Sequence, residues 1–148
     1  MQGLIIVNRA RRSNVPFSKE LAYEIQERCI YGNVAVVTDK PVALMSSVRK
    51  QWLRLIRLAE RERASTLNHA RKYELDQSIW RMRNASFTAQ DPADDPVAYV
   101  SFATAERFRQ FPPMCSTLYI VEPVEKLEKH MLTSWMTRNG RVIIYGRT

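Results

Sequence analysis

Five short apolar runs, separated by segments of helical period, constrain the fold of this chain more than any other feature. They are Gly3–Val7, Val34–Thr38, Val97–Phe102, Leu118–Val121 and Val142–Tyr145. Each reads as a nearly continuous apolar stretch rather than a strict alternation, which is the pattern of strands covered on both faces. Strands that alternate with helices build layered α/β folds. The expected fold is therefore α/β: a mostly parallel five-stranded sheet flanked by helices, a Rossmann-like three-layer arrangement with right-handed crossovers. At 148 residues, the chain is expected to form one domain over 1–148.

The helical segments have readable ends. Ser18 is placed to cap a helix over 19–30, with Leu21, Ala22, Ile25 and Cys29 inward and Gly32-Asn33 as its stop. Asp39-Lys40-Pro41 closes the second strand. Ser46 or Ser47 then caps a long helical insertion over about 46–88. The proline- and aspartate-rich stretch AQDPADDP, residues 89–96, reads as a loop. Thr104 caps a short helix through Phe108 that Pro112-Pro113 halts. A last helix over 124–138 carries Leu127, Met131, Leu132 and Trp135 inward and stops at Asn139-Gly140.

Within the insertion, Lys50, Arg54, Arg57 and Arg61 recur at i, i+4, i+7 and i+11. On a helical wheel they fall within about 60° of one another. Val48, Trp52, Leu55, Ile56 and Ala59 occupy the opposite side. After Ala64 the apolar phase changes, and Leu75, Ile79 and Met82 lie almost opposite the Trp52 face. One straight helix would bury two opposite sides. The expectation is a break between Arg63 and Glu74, where Ser65, Thr66 and Asn68 are weak helix formers, or a second subunit covering the displaced face. Leu75, Ile79 and Met82 are accordingly the candidate interface for a homo-oligomer or a hetero-complex.

Charge is distributed unevenly. The net charge is +8, and residues 46–90 hold ten basic and four acidic side chains, a net of +6. A line of cations backed by that excess suits a phosphate backbone or an acidic protein surface. An ordinary solvated helix face, partly neutralised by Glu60 and Glu62, is the plainer reading. Arg9, Arg11 and Arg12 after the first strand are a second basic group, readable as an anion site or a solvated loop. Arg81 and Arg83 add to the set, with Trp80 and Phe87 interleaved as base-stacking or packing aromatics.

Several chemistries lack their motifs. The stretch after the first strand, NRARRSN, contains no glycine, so neither a GxGxxG nor a GxxxxGK[ST] phosphate loop is present. His69 and His130 have no cysteine or carboxylate at ligand spacing, and Ser13, Ser46, Ser47 and Ser134 lack a GxSxG context. Asp39 and Glu122 stand at strand ends where two carboxylates can hold a metal, but the plainer reading is a turn aspartate beside Pro41 and a helix-start glutamate beside Pro123. Asp91, Asp94 and Asp95 lack the glycine and distal glutamate of a calcium loop. Cys29 and Cys115 read as buried free thiols. No apolar run approaches 18 residues and no leader is apparent, so a cytoplasmic location without a membrane is the default. No cofactor or metal is expected.

The functional expectation is a non-enzymatic nucleic-acid-binding protein, DNA or RNA, or a basic subunit of a nucleoprotein assembly. The alternative is a protein-interaction module of a complex. A weaker alternative is a nucleotide sensor or metal-dependent nuclease at the sheet edge.

Overall fold

A computed structural model describes residues 5–12, 14–89, 99–110, 114–121 and 136–146, apart from the side chains of Tyr99, Thr137, Arg138 and Asn139. Its strands are β1 (Ile5–Arg9), β2 (Val34–Val37), β3 (Ser86–Thr88), β4 (Tyr99–Ala103), β5 (Cys115–Val121) and β6 (Met136–Tyr145). Its helices are α1 (Phe17–Arg28), α2 (Pro41–Ser65), α3 (His69–Asn84) and α4 (Ala105–Gln110). The six strands form one sheet in the order β1-β6-β5-β2-β4-β3, and every pairing is parallel.

Two apolar layers explain the continuous strand runs. On one face, Val34 and Val36 of β2, Val100 and Phe102 of β4, and Tyr119 of β5 pack with Leu21 and Ile25 of α1 and with Val48, Trp52 and Ile56 of α2. On the other face, Ala35 and Val37 of β2, Leu118 and Ile120 of β5, and Val142 of β6 pack with Ala105 and Phe108 of α4. The alternation of β2 between the two layers is the period-2 rule of a strand with both sides buried. The steps β1 to β2 and β2 to β3 run one way along the sheet, and α1 and α2 share a face. The step β4 to β5 runs back, and α4 lies on the other face. A single crossover hand produces this arrangement.

Helix α2 is longer than the sheet needs. Four residues of β2 span about 13 Å, whereas the 25 residues of α2 span about 37 Å and the 16 of α3 about 24 Å. The parallel sheet requires α2 and α3 together to return the chain to the amino edge. The first part of α2 therefore covers the sheet, and the rest forms an antiparallel hairpin with α3 beyond it. Burial follows the same division: Val48, Trp52 and Ile56 are buried, and Glu60 to Ser65 are exposed. The break falls at 66–68, and the Asn68 side chain accepts from the Arg71 N–H at 3.1 Å as the N-cap of α3.

Trp52 joins the hairpin to the sheet. It is 4% exposed, its Nε1–H donates to the Met82 carbonyl at 2.8 Å, and its ring meets Phe87 of β3 edge-on at 5.1 Å. Phe87 in turn stacks on Phe102 of β4 at 6.2 Å. Leu75 and Met82 are buried by the chain itself, and Ile79 is half-buried. That corrects the reading of Leu75, Ile79 and Met82 as an open subunit interface: α3 folds back, so their shared face is turned inward.

Other element boundaries also differ from the sequence reading. Helix α2 starts at Pro41, not at Ser46 or Ser47, because proline is pre-organised for the first helical position and its missing N–H costs nothing there. Helix α1 starts at Phe17, with Pro16 rather than Ser18 at its N-cap. Thr104 does cap α4, accepting from the Arg107 N–H at 3.2 Å. Three residues before the proline-rich loop form β3, an unanticipated edge strand. Met136 to Arg138, read as the end of a helix, belong to β6. There Cys115 pairs with Met136 and Thr117 with Arg141, so β6 holds three residues more than β5 over that interval. Gly32, at φ 133°, turns the chain from α1 into β2, where a Cβ would lie 3.0 Å from Ser116 Oγ. Glu122, His130, Ser134 and the core of the expected 124–138 helix lie outside the described residues, as do Ser13 and most of the AQDPADDP loop.

Trp52→Ala is expected to cost about 3–5 kcal/mol, the usual range for emptying a buried tryptophan site. Trp52→Phe keeps most of the packing but leaves the Met82 carbonyl without its donor, at about 1–3 kcal/mol. Urea denaturation of both variants measures this. A loss below about 1 kcal/mol for the alanine variant would mean that the hairpin is anchored elsewhere.

Candidate functional site

The basic stripe exists as a surface. Lys50, Arg54, Arg57 and Arg61 are all exposed on the side of α2 turned away from Trp52. Eleven residues of helix place them along about 16 Å. What decides the character of this face is where its acidic neighbours go. Glu60 accepts from Arg83 Nη2 at 2.8 Å, and Glu62 accepts from Arg71 Nη2 at 2.9 Å. Arg63 donates to Asp76 at 2.9 Å. All three contacts bridge α2 and α3. The Arg71 guanidinium also holds the Glu62 carboxyl below the ordinary range. The two glutamates that could have neutralised the stripe are drawn round the sides of the helix toward α3. Among the described residues, none of Lys50, Arg54, Arg57 and Arg61 has an ion-pair partner. Exposed ion pairs contribute little to stability, so the effect of these three is on the charge pattern more than on the fold.

The remaining cations do not join the stripe. Arg83 is committed to Glu60. Arg9, at the end of β1, pairs with Glu24 of α1, and Arg81 shares a cavity with it on the α1 side of the sheet. Arg11 places its guanidinium over the Phe17 ring at 4.4 Å. It lines a hollow at the carboxyl edge together with Thr38, Asp39 and Lys40. The Arg12 backbone N–H donates to Glu20 at 3.2 Å, and its side chain is exposed. Arg9, Arg11 and Arg12 thus diverge instead of forming one anion site.

The aromatics divide as well. Phe87 is taken up by packing against Trp52 and Phe102. Trp80 is 57% exposed and Tyr73 67% exposed. Seven residues apart on α3, they lie on the side of that helix opposite Leu75. Sequence reading missed Arg28 and Arg141, which enter the cavity that holds Arg9 and Arg81. No local pattern marks them, because β1, α1, α3 and β6 bring that set together.

The sheet edge offers little for catalysis. Asp39 is exposed, and among the described residues no three His, Cys, Asp or Glu side chains are close enough to share a metal ion. No described helix is long and apolar enough to cross a membrane. Cys29 and Cys115 are buried free thiols. Burial raises both, and Cys115 is pushed up to about 12. A thiol held protonated is a poor nucleophile. A thiol reagent at pH 8 should therefore label neither cysteine in the native protein and both in denaturant; rapid native labelling would show that one is reachable and activated. Compared with protein-family models, curated proteins and solved structures, the chain shows no match to any.

Proposed function

We propose that this chain acts as a single α/β unit that binds nucleic acid through phosphate contacts made by the α2 stripe, without catalysis. One observation carries the reading. Four exposed cations stand in line, and the nearby carboxylates Glu60 and Glu62 are paired instead with α3. Unpaired guanidinium and ammonium groups release condensed counterions on meeting a phosphate backbone, which is the main source of sequence-independent affinity. Arginine also presents a planar fork that suits phosphate oxygens. The stripe carries no base-reading motif, so its contacts position a strand and do not select a sequence. Trp80 lies on the hairpin but on a different side from the stripe, so stacking is not part of the main contact.

A second reading is a protein-interaction module. Leu53, Leu58 and Leu67 are 56%, 52% and 90% exposed, and all three belong to the α2–α3 hairpin or its turn. Together with Tyr73 and Trp80 they give the hairpin more apolar surface than a purely solvated arm requires. In this reading a partner protein covers the hairpin through these residues, not through Leu75 and Met82.

Reversing Arg54 and Arg57 to Glu separates the two. Binding to single- and double-stranded DNA and RNA, titrated at several salt concentrations, should weaken at every sequence. The log–log salt slope should flatten by roughly 0.7–0.9 for each phosphate that the protein no longer neutralises. Folding stability should stay within about 0.5 kcal/mol, because both side chains are exposed and unpaired. Unchanged affinity with an unchanged slope would remove the stripe from the binding surface. No binding by the wild type at low salt would favour the protein-partner reading.

A further inference from the structure

A cavity of about 430 Å³ opens on the α1 side of the sheet, beside the edge strand β1. Four arginines reach it from four elements: Arg9 from β1, Arg28 from the last turn of α1, Arg81 from the last turn of α3 and Arg141 from β6. Among the described residues, two carboxylates, Glu24 and Glu27, share its walls. The described lining therefore carries two positive charges in excess. Glu24 is occupied: it pairs with Arg9 and accepts from the Tyr119 hydroxyl at 3.4 Å. Arg28 is oriented by its own contacts, with Nε donating to Thr117 Oγ1 at 3.2 Å and its guanidinium 4.6 Å from the Tyr31 ring centroid. Among the described residues, Arg81 and Arg141 have no carboxylate at ion-pair distance.

Arg141 supplies the second observation. Its Nε is shielded from solvent and, among the described residues, has no hydrogen-bond partner. Burying a donor on a cation without an acceptor is unfavourable, and folded chains rarely retain one. An acceptor-rich anion toward which the Arg141 side chain turns would satisfy it. Glu27, Ile30 and Tyr31 at the rim are exposed, so the cavity has a mouth.

We propose that this cavity binds a phosphate monoester. The group suits the lining in charge, since a dianion balances the two excess positive charges. It suits it in geometry, since three acceptor oxygens can take paired N–H donors from planar guanidinium forks. The volume admits a mononucleotide. Two sources carry that chemistry, a free nucleotide and the 5′-terminal phosphate of a nucleic-acid strand. The site is separate from the α2 stripe, none of whose four cations lines the cavity.

Calorimetry and thermal melting of the full chain test this with inorganic phosphate, AMP, and short oligonucleotides carrying either a 5′-phosphate or a 5′-hydroxyl. AMP should bind and raise the melting temperature. Arg141→Gln and Arg81→Gln should each weaken it by about tenfold or more, as expected when a charge-assisted hydrogen bond is removed. Arg141→Lys, which keeps the charge but not the fork, should also weaken it and carries the test if the glutamine variant does not fold. The Arg54→Glu/Arg57→Glu protein should bind AMP as the wild type does, whatever becomes of its nucleic-acid affinity. Tighter binding of the phosphorylated oligonucleotide than of its hydroxyl twin assigns the strand end as the source, and equal binding of the two assigns the free nucleotide. Absence of binding by AMP and by the phosphorylated oligonucleotide at millimolar concentration overturns the proposal. So does binding that survives substitution of both Arg81 and Arg141 in folded protein.

Discussion

The hydrogen bond from Trp52 to the Met82 carbonyl is the contact on which the rest of the architecture turns. It lies where α2 leaves the sheet and α3 returns to it, and the indole ring packs on Phe87 of the edge strand β3. Three exposed ion pairs also bridge the two helices, but contacts of that kind are weak in water. A buried indole brings several kilocalories of packing and satisfies a carbonyl in the last turn of a helix, where the backbone has no donor of its own to offer. Trp52, with Val48, Ile56 and Met82 of the same apolar cluster, thus ties the hairpin to the sheet. The ion pairs then determine which charges remain on the outside.

That division of labour gives the basic stripe its meaning. A helix with four cations and two nearby glutamates has little net character if the glutamates lean toward the cations. Here Glu60 and Glu62 lean the other way, each held by an arginine of α3. The same hairpin that buries Leu75 and Met82 therefore also leaves Lys50, Arg54, Arg57 and Arg61 unscreened. Packing on one side of α2 and charge on the other are consequences of a single folding-back.

Much of this architecture was legible in the chain. Strands buried on both faces have to be apolar throughout, so β2 and β5 stood out, and a shift of apolar phase pointed to a break between Arg63 and Glu74, which falls at 66–68. What was not legible depended on partners. Ser86-Phe87-Thr88 is too short and too half-buried to signal a strand, and only its pairing with β4 makes it one. Pro41 reads as a terminator after Val37 and acts as an initiator before Val42. Asn139-Gly140 reads as a helix stop and lies in a strand that is out of step with its neighbour. The apolar phase of Leu75, Ile79 and Met82 was visible, but not that the chain itself would cover it. The stripe was readable because one helix carries it. The arginine cavity was not, because its members are separated by as many as 132 positions and meet only through the strand order.

The position of β1 has a consequence for how such a chain is made. Among the described strands its one neighbour in the sheet is β6, which begins at Met136. At roughly 5–20 residues per second, a ribosome needs on the order of ten seconds to travel from one to the other. Through that interval β1 lacks the strand it pairs with, and Ile5 and Ile6, only partly covered even in the finished sheet, are open to other nascent chains. Closure of the β1 edge waits for the synthesis of everything between the two strands. Crowded translation is thus the setting in which this sheet is most exposed to mispairing, and a chaperone that shields the β1 segment would act where the topology leaves the greatest delay.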